Sequence, residues 1–147
     1  MAVGSRDNLG REDEAREAAD VVSALSRRAG YGDDICRCTF ATPEFDALLL
    51  DAGQFTWAAG PLSKGSNLCH GTGGNGYAFL KLYRRTNDPI WLDRARQFAM
   101  TAIVQYRGSQ VAVGRGRYSL WTGDIGLAIY LWDCITEEPR FPTIDVF

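Results

Sequence analysis

Apolar residues recur along this chain at the spacing of helix faces. In residues 12–29 the apolar or small positions are Ala15, Ala18, Ala19, Val22, Leu25 and Ala29, a helical pattern that Gly30 and Gly32 end. Residues 33–41 are irregular. Thr42-Pro43 is a start signal, with threonine as N-cap and proline at the first helical position. Phe45, Leu48, Leu49, Ala52, Phe55, Thr56 and Ala59 follow as a stripe, closed by Gly60-Pro61. A third helix is predicted over about residues 74–85. Asn87-Asp88-Pro89 breaks the chain and caps a fourth helix, whose stripe is Trp91, Leu92, Ala95, Phe98, Ala99, Ala102 and Ile103. Residues 108–116 read as a loop rich in Gly and Arg, and residues 126–135 as a last apolar helix. Pro139 and Pro142 forbid helix in the tail. No stretch alternates over strand length. The pattern predicts an all-α protein of about five helices joined by short glycine loops. Its parts are an N-terminal arm (1–11), a helical body (12–138) and a tail (139–147).

Two segments repeat. LCHGTGGNGYAFLKLY opens at Leu68 and LWTGDIGLAIYLWDCI at Leu120. Gly71 pairs with Gly123 and Gly74 with Gly126, at one offset, since 123 − 71 = 52 and 126 − 74 = 52. Each G-x-x-G opens an apolar helix, and an amphipathic helix lies between them. The unit is a glycine turn, an apolar inner helix and an amphipathic outer helix, which fits an α-solenoid or an α/α toroid. In a toroid, inner helices are buried on several sides and outer helices keep a wet face. The charges Glu44, Asp46, Asp51, Asp93, Arg94 and Arg96 are expected to solvate that face. The glycine turns gather at one end of the ring, where a cavity can form.

Candidate chemistry sits at the first of these turns. His70 is the only histidine of the chain and directly follows Cys69. A thiol and an imidazole side by side are good zinc ligands, but two donors are too few for a closed site. The other cysteines are Cys36, Cys38 and Cys134. Cys134 lies in an apolar run and reads as a buried small hydrophobe. Cys36 and Cys38 read as loop thiols, with a third-ligand role as the alternative. Lys64, Asn75 and Tyr77 are assigned to surface charge, turn hydrogen bonding and core, and Arg115 and Arg117 to a solvated loop.

Composition changes this picture little. The 147 residues suffice for one domain with a core, and 46% hydrophobic with 23% charged is ordinary for a globular protein. A formal charge of −2 gives no footprint for nucleic acid. No apolar run approaches a membrane span. The N-terminus lacks a signal-like segment, so a cytoplasmic location is expected.

The run Cys69-His70-Gly71-Thr72-Gly73-Gly74-Asn75-Gly76-Tyr77-Ala78-Phe79-Leu80, with Leu82-Tyr83-Arg84 after it, resembles the zinc segment of the lanthionine synthetase C-like (LanC-like) proteins. Residues 119–126, SLWTGDIG, resemble the glycine turn before that family's last inner helix, and residues 57–65, WAAGPLSKG, also fit. The likeness covers about residues 45–135. It implies a partial α/α toroid, the last two or three helical-hairpin layers of a LanC-like barrel. It also implies Zn²⁺ held by two cysteines and a histidine, of which Cys69 and His70 match two. The implied activity is addition of a cysteine or glutathione thiol to dehydroalanine or dehydrobutyrine, with a peptide or glutathione thiol as substrate. One repeat upstream of Cys69, 69 − 52 = 17, stands Glu17, and alignment on the following helix reaches Ala15; neither is a cysteine. No Trp-Cys-His-Gly turn occurs, and no second histidine is present for the family's acid–base role. The expectation is therefore a truncated or degenerate member, inactive alone, associating through exposed inner helices. The alternative is a non-catalytic helical-repeat module that binds a peptide or partner. A glycosidase-like toroid needs paired carboxylates at its cleft, and Asp124 is the only acidic residue at a glycine turn.

Overall fold

The structure is a computed structural model that describes residues 42–142. They form four helices and no strand: α1 (Pro43–Ala59), α2 (Thr72–Thr86), α3 (Pro89–Val113) and α4 (Asp124–Thr136). The all-α class is as the pattern indicates. The expected arm, the helix over residues 12–29, and Cys36 and Cys38 lie outside the described residues, as does the end of the tail. The chain divides into two compact units, Met1–Gly60 and Pro61–Phe147.

In the first unit, α1 starts where the Thr42-Pro43 signal puts it. The Thr42 hydroxyl accepts a hydrogen bond from the Phe45 N–H at 3.2 Å, and Gly60 ends the helix at φ 75°. The buried positions of α1 are Gly53 and Thr56, while Leu48 and Phe55 of the expected stripe are exposed.

The second unit is built on α2. Thr72, Gly73, Asn75, Gly76, Tyr77, Phe79, Leu80 and Leu82 are all buried, more than one face of a helix can supply. This is the inner-helix pattern. It packs chiefly on α3, and α4 lies against both. α3 buries one side, Trp91, Leu92, Arg94, Ala95, Phe98, Ala99 and Ala102. The Phe79 ring stacks on Trp91 with centroids 6.0 Å apart and meets Phe98 edge-on at 4.9 Å. Tyr130 of α4 is fully buried, and its hydroxyl donates to the Ala95 carbonyl at 2.6 Å. That bond satisfies the one polar atom of an otherwise apolar packing residue.

Two expectations need correction. Arg94 does not solvate the outer face. It is buried, with its guanidinium 4.6 Å from the centroid of the Trp91 ring, an arrangement in which the charge meets the ring's π-face. The loop expected over residues 108–116 is also wrong in its first half, because α3 runs through Gly108 to Val113. A lone glycine costs a helix only about 1 kcal/mol, and no proline interrupts here. The stop is Gly114, which takes the left-handed conformation at φ 71° and donates to the Gln110 carbonyl at 2.8 Å. Gly108 is exposed, and a Cβ built there meets nothing within 4 Å. Gly108→Ala is therefore expected to stabilise the protein by about 0.5–1 kcal/mol, measured as a raised midpoint in urea.

α4 is half covered. Leu127, Tyr130, Asp133 and Cys134 are buried, while Ile125, Ala128, Trp132 and Ile135 form an exposed stripe on another side. No helix among the described residues is long and apolar enough to cross a membrane.

Candidate metal-binding turn

The residues before α2 fold under its first turn and occupy its free N–H groups. The Thr72 N–H donates to the Gly65 carbonyl at 2.9 Å, and the Gly74 N–H to the Asn67 carbonyl at 3.3 Å. A helix start leaves four such donors without intrahelical partners, so this loop serves as the cap that Gly71, having no side chain, does not provide. The approach is so close that a side chain at the G-x-x-G glycines has no room. A Cβ on Gly71 would fall on the Gly65 carbonyl oxygen, and one on Gly74 on the Leu68 carbonyl oxygen. Helix α2 thus begins at Thr72, not near Gly74, and the second glycine lies inside the first turn.

Three of these contacts recur at the second turn. The Asp124 N–H donates to the Arg117 carbonyl at 2.8 Å. A Cβ on Gly123 would fall on the Arg117 carbonyl oxygen, and one on Gly126 on that of Leu120. Each contact is its counterpart at the first turn moved by 52 residues. Asn67 Oδ1 accepts from the His70 N–H at 3.1 Å, and at the same offset Ser119 Oγ accepts from the Thr122 N–H at 3.3 Å. By this correspondence Cys69 stands where the second turn has Trp121, and His70 where it has Thr122.

The two turns also bond to each other. The Cys69 N–H donates to the Trp121 carbonyl at 2.9 Å, and Leu68, buried, packs beside Gly126. Cys69 and His70 therefore have both backbone N–H groups engaged. Their side chains are exposed. A thiol and an imidazole on a fixed backbone, open to solvent at the start of a helix, suit two positions of a Cys₂His zinc set. Among the described residues no group of three His, Cys, Asp or Glu side chains could hold a metal ion.

Asn67 carries no sequence pattern that singles it out, yet it organises the turn. Its Nδ2 donates to the Lys64 carbonyl at 3.2 Å while its Oδ1 takes the His70 N–H, the side-chain-to-backbone turn that asparagine favours. The one signal for it is an Asn three residues before His70, matched by Ser119 three residues before Thr122. Tyr77 is core, as expected, and Lys64, Arg115 and Arg117 are exposed. Asn75 is buried with its Nδ2 unpartnered, rather than making a turn hydrogen bond through that atom. Cys134 is buried, and burial pushes its thiol up to about 11. At neutral pH it is a protonated packing residue, not a ligand thiolate.

Comparison with known proteins agrees with this geometry. The model of the family described as lanthionine synthetase C-like protein matches residues 22–146. The chain is 37% identical over 98 residues to the zebrafish (Danio rerio) protein named Glutathione S-transferase LANCL1, a match covering 66% of this chain and 24% of that one. It is 43% identical over 107 residues to LanC-like protein GCL1 of Arabidopsis thaliana, covering 70% of this chain and 24% of that one. The chain thus spans about a quarter of the length of the relatives it matches. The family match takes in all four helices and both glycine turns, and this chain belongs to the lanthionine synthetase C-like family.

Proposed function

We propose that the chain carries the zinc turn of a thiol-adding LanC-like protein, with Cys69 Sγ and the His70 imidazole as two of three protein donors to Zn²⁺. The observation behind this reading is that the turn pins the backbone of both residues and leaves both side chains open to solvent. Cys69 and His70 would hold the ion, which would supply Lewis-acid stabilisation of a substrate thiolate near neutral pH. The substrate class is a glutathione or peptide cysteine thiol, and the acceptor is the β-carbon of a dehydroalanine or dehydrobutyrine residue. Family membership and the glutathione S-transferase name of the zebrafish relative support that class. The protein's part is to fix two donors on a rigid turn whose glycines let backbone pack on backbone.

No third donor stands with them among the described residues. Two donors alone make a weak, dissociable site, and the chain alone is expected to add no thiol to a dehydroalanine peptide. Zinc titration of the purified chain tests the reading. About one equivalent should bind, as a single mononuclear site requires, and binding should be lost in both Cys69→Ala and His70→Ala. A wild-type chain that takes up no zinc, or a Cys69→Ala chain that takes up as much, would refute it.

A further inference from the structure

The residues that follow α4 reach back to this turn. α4 ends at Glu137, a left-handed residue at φ 61°. Its carboxylate accepts from Arg96 of α3 at 2.9 Å and from the Tyr83 hydroxyl of α2 at 3.1 Å. Lys81 Nζ, also on α2, donates to the Pro139 carbonyl at 3.1 Å. The Arg140 N–H donates to Asp133 Oδ2 at 2.8 Å, and the buried Tyr77 hydroxyl donates to the same oxygen. Residues 137–140 are thus tied to α2 at several points along its length.

What these ties hold in place is Phe141. Its ring meets Tyr77 edge-on, with centroids 4.9 Å apart and an interplanar angle of 76°. It also lies against Trp121, at 5.9 Å and 39°. Trp121 is 38% exposed, so the rest of the fold does not enclose its ring. Its carbonyl accepts the Cys69 N–H. One residue therefore separates Phe141 from the backbone bond that fixes Cys69.

The geometry points to residues 137–142 as a strap that positions the Cys69–His70 turn, with Phe141 acting through Trp121. Phe141 is a positioning residue that acts on Cys69 and His70 through that neighbour. Its ring limits the motion of Trp121, Trp121 holds its carbonyl toward Cys69, and the two donor side chains then leave from a fixed backbone. The value of that fixation to metal binding rests on the proposed role of Cys69 and His70. The fixation itself does not.

The test separates the two. Amide hydrogen exchange is followed by NMR on the isotope-labelled full chain, for wild type, Phe141→Leu and Phe141→Tyr, with and without added zinc. Leucine keeps an apolar side chain but no ring, and tyrosine keeps the ring. Without zinc, the Cys69 amide is expected to exchange about tenfold faster in Phe141→Leu, on the scale of one lost aromatic pair, and to recover in Phe141→Tyr. The amides of Leu80 and Phe98 in the core should be unchanged. An unchanged Cys69 amide in Phe141→Leu overturns the strap, and so does equal acceleration at Leu80 and Phe98, which would mean a global loss of stability. With zinc, Phe141→Leu should bind more weakly than wild type and Phe141→Tyr should match it. Equal zinc affinity in all three overturns the link to the donors. A wild-type chain that binds no zinc refutes the proposed function, while the Cys69 exchange rates still decide the strap.

Discussion

Gly126→Ala is expected to cost about 3 kcal/mol, the upper end of what overpacking a dense interior does, and to remove most of the cooperative melt of the Pro61–Phe147 unit. The added Cβ would fall on the Leu120 carbonyl oxygen and stand 2.8 Å from Leu68 Cγ and 2.9 Å from its Cδ1. A flexible side chain can swing away from such a clash, but a backbone carbonyl cannot. Leu120 belongs to a turn held by the Asp124 N–H on the Arg117 carbonyl, and Leu68 is buried. Relief by moving Leu68 would drag Cys69, so the same substitution should also loosen the metal turn. Far-UV circular dichroism during heating measures the loss. A midpoint lowered by less than about 4 °C, equivalent to under 1 kcal/mol for a unit of this size, would show that the two turns are not in the close contact described. Gly108→Ala is the matched control, since it adds the same methyl group where nothing stands within 4 Å.

Asp133→Ala is the second large effect, with an expected loss of about 1–3 kcal/mol, because taking the acceptor from a buried donor costs about that much. Asp133 is buried at 2% exposure on α4 and accepts hydrogen bonds from the Tyr77 hydroxyl and the Arg140 N–H. Its removal leaves the hydroxyl of a buried tyrosine and a backbone donor without that acceptor. Asp133→Asn keeps an acceptor oxygen and should lose less than half as much. In Tyr77→Phe/Asp133→Ala the hydroxyl that loses this acceptor is gone as well, so the double variant should be more stable than the sum of the single losses predicts. Urea unfolding of wild type, the two single variants and the double variant gives the cycle. Strict additivity would mean that the tyrosine and the carboxylate do not depend on one another.

Much of the architecture is legible in the sequence because its signals are local. Thr42-Pro43 and Asp88-Pro89 cap helices where such residues should, with the Asp88 carboxylate accepting the Ile90 N–H at 3.0 Å. The Trp91–Ala102 stripe is the buried side of α3 because 3.6-residue periodicity places those side chains on one face. The departures have equally specific causes. Gly108 reads as a breaker, but glycine is only a weak penalty inside a helix, and the real stop needs the positive φ of Gly114. Arg94 reads as a solvated charge because nothing in the sequence says that its guanidinium lies over Trp91. The start of α2 reads two residues late, since its cap is a loop carbonyl and not a side chain.

Cys69 and His70 are legible as adjacent donors from the chain alone, and so is their place at a repeated glycine turn. By itself the sequence determined an all-helical chain with a 52-residue offset between two G-x-x-G turns, and its membership of the lanthionine synthetase C-like family. Only the tertiary structure decided that the two turns bond through the Cys69 N–H and the Trp121 carbonyl, and that Asn67 holds the first turn. It alone brought Phe141 back onto Trp121. The physical reason is range. Capping and periodicity act within a few residues of chain, whereas the Trp121–Phe141 and Cys69–Trp121 contacts join residues 20 and 52 positions apart and exist only in the packed helices.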